Sequence, residues 1–382
     1  MNNHPNPALG NISTPAAVID LDRMRRNVQR MQSKVSALGV RFRPHVKTSK
    51  CLEVTRVQME AGATGITVST LKEAEQFFAA GITDILYAVG MAPGKLGQAH
   101  ALIRRGCDLK ILTDSVASAN AIAAYGRDHG VTFNVLIEID TDDHRSGIKP
   151  ESAELIEVGR ALAQPGGRIA GVMTHAGSSY DLNTPQALQA MAEAERAGCV
   201  RAADRLRAAG YACDMVSVGS TPTALSATNE DGVTEIRAGV YVFFDLVMHN
   251  VGVCALSDIA LSVLTTVIGH QREKGWAIVD AGWMAMSRDR GTQRQSNDFG
   301  YGQVCDAGGT PIPGYSISGA NQEHGIVSRT GTPDPDIAAR FPVGTLLRIL
   351  PNHACATGAQ FPEYHVVSAG GQAATWPRFY GW

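Results

Sequence analysis

From Ala16 onward, short runs of β-branched and apolar residues alternate with longer stretches whose apolar positions recur at helical spacing. Ala16-Ala-Val-Ile-Asp20 reads as a strand, and Asp22 to Leu38 as a helix with Asp22 at its N-cap. The couplet then recurs as Gly65–Val68 before Leu71–Ala80, Ile85–Val89 before Gly94–Arg105, and Lys110–Thr113 before Ser115–Gly130. It continues as Asn134–Ile139 before Ser152–Leu162 and Ile169–Thr174 before Pro185–Gly210, followed by the runs Met215–Val218 and Glu235–Arg237. With the run that precedes Lys47 this makes about eight strand–helix repeats, which predicts a TIM-type (β/α)8 barrel of the α/β class rather than an open sheet. After about Cys254 the texture changes. Ile259–Ile268, Trp276–Asp280, Leu346–Leu350 and Glu363–Ser368 read as strands without long helices between them, and Gly300 to Gly331 as Gly- and Pro-rich turns. The pattern predicts a barrel over residues 16–253 and an all-β domain over residues 254–382, with the polar residues 1–15 packing with the latter.

Composition narrows the function classes. The chain has 382 residues, 44% hydrophobic and 18% charged, with a formal net charge of −2. That length exceeds one typical core, and that composition describes an ordinary globular protein. No basic run suggests a nucleic-acid face or a membrane surface, and no apolar run is long enough to cross a bilayer. The start, Met1-Asn-Asn-His-Pro-Asn-Pro-Ala, lacks the basic-then-apolar order of a signal peptide. The 7 cysteines are odd in number and widely spread, which predicts free thiols in a reducing, cytoplasmic compartment.

The chemistry gathers where barrel strands should end, since that face of such a barrel builds the site. Lys47, in Arg41-Phe-Arg-Pro-His-Val-Lys47-Thr-Ser-Lys50, offers an amine able to form an imine with a carbonyl cofactor. Val216-Ser-Val-Gly-Ser-Thr-Pro-Thr223 and Arg237-Ala-Gly-Val-Tyr241 offer loops whose N–H groups could hold a phosphate. His144, Arg145, Thr174, His175 and Tyr180 fall on other strand ends. Each has a plainer reading: Lys47 or Arg145 as a solvated cation, Tyr180 as a half-buried packing residue, the glycines as turn formers. Their convergence on one face favours a site. Separately, Pro351-Asn-His353-Ala-Cys355 follows a strand. In an extended segment residues i and i+2 share a side, so His353 and Cys355 could meet one ion through N and S, a pairing suited to Zn²⁺. The plainer alternative there is a packed histidine beside a small buried cysteine.

Four segments carry a resemblance: Pro44-His-Val-Lys47-Thr-Ser-Lys50, Glu138-Ile-Asp-Thr-Asp-Asp-His-Arg145-Ser-Gly147, Thr174-His-Ala-Gly-Ser-Ser-Tyr180 and Gly239-Val-Tyr-Val-Phe-Phe-Asp245. Together they resemble the fold-type III pyridoxal-phosphate enzymes, the alanine racemase-like group, and within it the D-serine dehydratase-like branch. The resemblance implies pyridoxal 5'-phosphate on Lys47 as the catalytic amine, with Arg145 at the cofactor's phenolic oxygen and Thr174 and Tyr180 near the ring. Gly219, Ser220, Thr221, Gly239, Val240 and Tyr241 would line the phosphate, and Arg237 would face the pyridine nitrogen. It implies a metal, Zn²⁺ or another divalent ion, on His353 and Cys355, with open positions for water and substrate oxygens. Gln322 and His324, in Asn321-Gln-Glu-His324-Gly325, and Tyr301, in Phe299-Gly-Tyr301-Gly302, become substrate candidates. A solvated turn competes for the first two, and a packing or interface role for Tyr301. The implied activity is a lyase: dehydration of 3-hydroxy D-amino acids such as D-serine or 3-hydroxy-D-aspartate to a 2-keto acid and ammonia. The implied assembly is a homodimer, without nucleic-acid or membrane partners. A metal-assisted D-threonine aldolase-like lyase, an amino-acid racemase using Tyr301 as a second base, and a non-catalytic cofactor carrier are the alternatives. The aldolases tend to carry His-x-Asp where this chain has His353-Ala-Cys355. The extra β-domain speaks against the carrier.

Overall fold

The computed structural model describes residues 7–371 and 373–382; residues 1–6 of the expected N-terminal arm lie outside the described residues. Strand β1 (Ala16–Asp20) comes first. The next eight strands are β2 (Arg41–Pro44), β3 (Ile66–Val68), β4 (Asp84–Gly90), β5 (Asp108–Thr113), β6 (Phe133–Ile139), β7 (Gly167–Thr174), β8 (Met215–Val218) and β9 (Glu235–Ala238). They form one parallel sheet in the order β2-β9-β8-β7-β6-β5-β4-β3. Its two ends meet through a single parallel bridge between His45 and Thr67, which brings the sheet round into a barrel.

Helices follow the strands: α1 (Leu21–Ala37), α2 (Leu52–Glu60), α3 (Leu71–Ala79), α4 (Leu96–Arg104), α5 (Val116–His129), α6 (Glu154–Leu162), α7 (Pro185–Ala208) and α8 (Thr221–Ser226). Their starts are marked chemically. Thr70, Ser115 and Thr184 each accept the N–H three residues on, and Pro185 occupies the first turn of α7, where its missing N–H costs nothing. Their buried residues recur at helical spacing, as in α7 with Leu188, Ala192, Cys199, Ala202 and Leu206.

The barrel lumen is layered. Leu86, Leu112, Leu136, Met173 and Met215 form an apolar middle. At the N-terminal ends of the strands an ionic layer lies beneath it. Arg43 Nε meets Glu235 Oε2 at 2.7 Å, its Nη1 meets Asp84 at 2.8 Å, and Lys110 Nζ reaches Asp84 at 2.6 Å and Asp108 at 2.5 Å. Such a buried network adds little net stability over an apolar core, yet losing one partner costs about 3–5 kcal/mol because the other charge is stranded.

The second sheet holds the remaining strands: β10 (Leu261–Gln271), β11 (Trp276–Val279), β12 (Gln303–Cys305), β13 (Pro311–Ala320), β14 (Gly325–Arg329), β15 (Leu346–Leu350), β16 (Glu363–Val367) and β17 (Ala373–Pro377). Short helices α9 (Leu246–Val251), α10 (Trp283–Met286), α11 (Ile337–Arg340) and α12 (Ala354–Gly358) interrupt them. The order is β11-β14-β13-β12-β15-β10-β1-β16-β17. Two expectations are corrected here. β1 is not a barrel strand: it pairs antiparallel with β10 and parallel with β16, because Ala16 to Ile19 are all buried and need neighbours on both sides. The stretch from Gly300 to Gly331 is not merely turns, since β12, β13 and β14 run through it as antiparallel ladders. The described chain divides into one compact unit of residues 29–239 with 379–382 and another that holds the described residues up to 28 and from 240 to 378, so the division falls inside α1 and directly after Gly239. Among the described residues no helix is long and apolar enough to cross a membrane. All seven cysteines are free, and only Cys355 is not buried.

Candidate active site

In the barrel unit the residues singled out from sequence fall at the C-terminal ends of the strands. β2 stops at Pro44, His45 donates its N–H to Ala238 O (2.8 Å), and a single 3-10 turn, Val46–Thr48, follows. Val46 and Thr48 are buried and anchor this turn, whereas Lys47 is exposed. Among the described residues the Lys47 amine makes no salt bridge.

Two imidazoles, His45 and His175, respond to that amine. Enclosure, with the charges of Lys47 and Arg237 added, pushes His45 well below the usual histidine range. Enclosure and Lys47 push His175 down to about 3. The Nδ1 of His175 lies 3.2 Å from Gly219 O. A carbonyl only accepts, so Nδ1 carries the hydrogen and Nε2 is left as an acceptor.

Arg237, on β9, is buried and fixed from three sides. Its Nε donates to Ser217 Oγ (2.8 Å), and its Nη2 donates to the carbonyls of Thr174 and, at 3.3 Å, Ser217. Ser217 Oγ in turn donates to Glu235 Oε1 (2.8 Å), which joins Arg237 to the ionic layer below. Thr174 Oγ1 meets Thr141 Oγ1 at 2.9 Å, and the half-buried Tyr180 ring stands 6.0 Å from that of His175. Arg145 remains outside this group: its side chain is 58% exposed and reaches Glu138 Oε1 at 3.2 Å.

The turn after β8 is glycine by necessity. Gly219 has φ +127°, and a Cβ there would lie 2.2 Å from Arg237 O. Ser220 caps α8 in a reciprocal capping box with Thr223, and its hydroxyl meets that of Ser179 at 2.9 Å. The N–H of Ser220 donates to Thr223 Oγ1 at 2.9 Å, so this donor is already committed within the protein, and Glu195 lies close to the N–H of Gly219. At Gly239 a Cβ would come within 3.1 Å of His45 O. These residues fit pyridoxal phosphate. They combine an exposed primary amine with no salt bridge among the described residues, two imidazoles held neutral, a fixed guanidinium and a hydroxyl-rich turn at a helix start.

In the other unit, Val240 and Tyr241 are buried in the turn Val240–Val242. His353 and Cys355 do come together, though not through the extended segment expected from their spacing. His353 is the N-cap of α12 and Cys355 lies in its first turn. A buried carboxylate explains the early helix start: Asp245 Oδ2 accepts the N–H of Ala354 at 3.0 Å, and Thr357 N–H returns to His353 O at 3.1 Å. The side chains of His353 and Cys355 are hydrogen-bonded to each other. Asp289 Oδ2 takes the Nδ1 of His353 at 2.6 Å, leaving Nε2 for a ligand. Packing works to lower the basicity of His353, but Cys355 and Asp289 outweigh it and hold it well above the usual range. Asn352 locks the turn by donating to Gly300 O (2.7 Å) and Asp289 O (3.2 Å). An imidazole oriented by a carboxylate beside a half-exposed thiol fits a divalent metal of the zinc type.

Tyr301 lies under the guanidinium of Arg290, 5.1 Å from its ring centre. Gln322 and His324 are exposed in the β13–β14 turn, whose carbonyls at Asn321 and Gln322 accept the N–H groups of Trp283 (2.8 Å) and Met284 (3.0 Å). Sequence reasoning missed Asp289, Asp245, Ser217, Glu235 and Glu195. Glu195 alone had a legible signal, a carboxylate standing in the apolar stripe of α7.

Comparison with known proteins agrees with this geometry. Residues 19–247 match the family described as "Alanine racemase, N-terminal domain", and residues 260–367 match the "Putative serine dehydratase domain". The chain is 68% identical to the D-threo-3-hydroxyaspartate dehydratase of Delftia sp. (strain HT23), over 97% of this chain and 98% of that one. A solved structure of a D-threo-3-hydroxyaspartate dehydratase, a cysteine-to-alanine mutant in the metal-free form, superposes with a TM-score of 0.97 at 67% identity, covering 98% of this chain and 99% of that one. The D-serine dehydratase of Dictyostelium discoideum is 30% identical, over 96% of each chain. The chain belongs to the alanine racemase-like family of fold-type III pyridoxal-phosphate enzymes, in its D-serine dehydratase-like branch.

Proposed function

We propose that this protein is a pyridoxal-phosphate- and metal-dependent dehydratase of 3-hydroxy D-amino acids, converting D-threo-3-hydroxyaspartate to oxaloacetate and ammonia. The observation that carries this reading is the His353–Cys355 pair with Asp289 behind it, because elimination of hydroxide needs electrophilic help that racemisation does not. The 68% identity to a D-threo-3-hydroxyaspartate dehydratase supports the choice of substrate.

Pyridoxal phosphate, when bound, supplies an electron sink for charge developing at Cα, and a divalent metal supplies a Lewis acid for the departing hydroxyl. The chain's own residues do the rest. Lys47 would hold the cofactor, and its Nζ would take the Cα proton. His45 and His175, kept neutral, add no positive charge that would repel a protonated amine beside them. Arg237, fixed by Ser217 and Thr174, presents a permanent cation whose orientation cannot drift. His353 Nε2 and the Cys355 sulfur hold the metal, with Asp289 setting the imidazole tautomer. By the family resemblance, Arg145, Tyr180, Ser220, Thr221, Gly239, Val240 and Tyr241 would serve the cofactor, and Tyr301, Gln322 and His324 the substrate. The released enamine hydrolyses in water to the keto acid and ammonia.

We place the enzyme in the cytoplasm, on the support of seven free thiols, and as a homodimer, following its family. The test is a panel of 3-hydroxy amino acids, both enantiomers, scored for ammonia with and without added Zn²⁺. Ammonia from D-substrates alone, lost with chelator and absent in Lys47→Ala, is the expected result. Metal-free turnover at the full rate would remove His353 and Cys355 from the chemistry.

A further inference from the structure

Glu195 lies in the middle of α7, in the stripe that otherwise buries Leu188, Ala192, Cys199, Ala202 and Leu206 against the barrel. Its side chain is 1% exposed. A carboxylate at such a position is costly unless its oxygens are hydrogen-bonded. The donors it has found are specific. Oε1 accepts the backbone N–H of Ala176 at 2.8 Å, in the loop after β7. The carboxylate also faces the N–H of Gly219, in the turn after β8, and the hydroxyl of Thr223 in α8, and both favour its charged form. Thr223 Oγ1 then accepts the N–H of Ser220 at 2.9 Å. One side chain thereby links two neighbouring strand ends, bonded to the Ala176 N–H on one and set against Gly219 and Thr223 on the other. Those ends carry Thr174, His175, Gly219, Ser220 and Thr221. The two loops are also joined by Ser179 Oγ to Ser220 Oγ at 2.9 Å, by His175 Nδ1 to Gly219 O at 3.2 Å, and, at the strand ends beneath them, by Arg237 bridging the carbonyls of Thr174 and Ser217.

We propose that Glu195 is the positioning residue of the cofactor-phosphate cradle: its carboxylate ties the β7 and β8 loops into one rigid surface, so that the cofactor binds a preformed site. The proposal rests on the function put forward above, since it presumes that pyridoxal phosphate is the group held there. Glu195 touches neither the amine of Lys47 nor any reacting atom, so its effect is on cofactor affinity and not on the chemical step. Its environment also suits this role. Burial raises the Glu195 carboxyl above the usual range, while the donors around it favour the charged, accepting form.

The test uses full-length holoenzyme, stripped of cofactor and titrated with pyridoxal phosphate, comparing wild type with Glu195→Ala and Glu195→Gln. Alanine leaves the Ala176 N–H unpaired and removes the group that faces Gly219 and Thr223, and the expected loss of cofactor affinity is about tenfold or more. Glutamine keeps one acceptor oxygen and is expected to lose about threefold. For both, kcat at saturating cofactor stays within about twofold of wild type, which a general loss of structure would not allow. A folded Glu195→Ala protein that binds pyridoxal phosphate as tightly as wild type overturns the inference. Should the alanine variant fail to fold, Glu195→Gln with wild-type affinity overturns it equally. A wild-type chain that takes up no pyridoxal phosphate overturns the function itself, and this inference with it.

Discussion

The Nδ1 of His353 is occupied by Asp289 at 2.6 Å, and this contact decides what the ring can do. It fixes the tautomer and aims Nε2, while the bond in return holds the Asp289 carboxyl below the usual range. Carboxylates behind metal-binding imidazoles sharpen affinity by about 10–100-fold. Asp289→Ala should therefore weaken zinc binding by that factor and leave pyridoxal phosphate uptake unchanged, with activity returning at high metal concentration. Equal zinc affinity in competitive chelator titrations would show that Asp289 plays no such part. Arg237 is oriented by the same logic through Ser217. Lys47 and the His-x-Cys pair were legible in the sequence because their local motifs are short. Asp289 was not: it stands 64 residues from its partner, and nothing in its neighbours sets it apart.

At the scale of elements, the turn between β8 and α8 shows how little freedom the strand ends have. Gly219 combines φ +127° with a Cβ position 2.2 Å from a carbonyl oxygen. Gly219→Ala should cost about 3 kcal/mol in chemical denaturation, from backbone strain and overpacking together, and should weaken cofactor binding. A loss below about 0.5 kcal/mol would mean that the turn relaxes and that its shape is not enforced. The barrel strands could be read in advance because each is a short apolar run beside an amphipathic helix. That same couplet misplaced β1. Ala16–Asp20 followed by α1 has the pattern of a barrel repeat, and only its pairing with β10 and β16, about 240 and 350 residues away, reveals its sheet. The strands between Gly300 and Gly331 were hidden for the opposite reason. Glycines and prolines inside β13, such as Pro311, Pro313 and Gly314, mimic turns when ladder partners are unknown.

For the whole molecule, two half-buried, neutral histidines make stability depend on pH. His175 falls from an ordinary 6.5 to about 3 in the fold, and His45 shifts in the same direction. Between those values the unfolded chain binds protons that the folded chain refuses. Stability therefore rises with pH across this window and is lost as pH falls from about 6.5. The melting temperature should drop on going from pH 7 to pH 5, and His175→Gln should flatten that slope. Parallel slopes for the two proteins would contradict the assignment of a neutral His175.

The central claim is elimination at Cβ of a 3-hydroxy D-amino acid, and the products of a single substrate test it most directly. D-threo-3-hydroxyaspartate, incubated with the holoenzyme and Zn²⁺, should give oxaloacetate and ammonia in equal amounts. Glyoxylate with glycine, the products of Cα–Cβ cleavage, or inverted substrate without ammonia, would contradict the account.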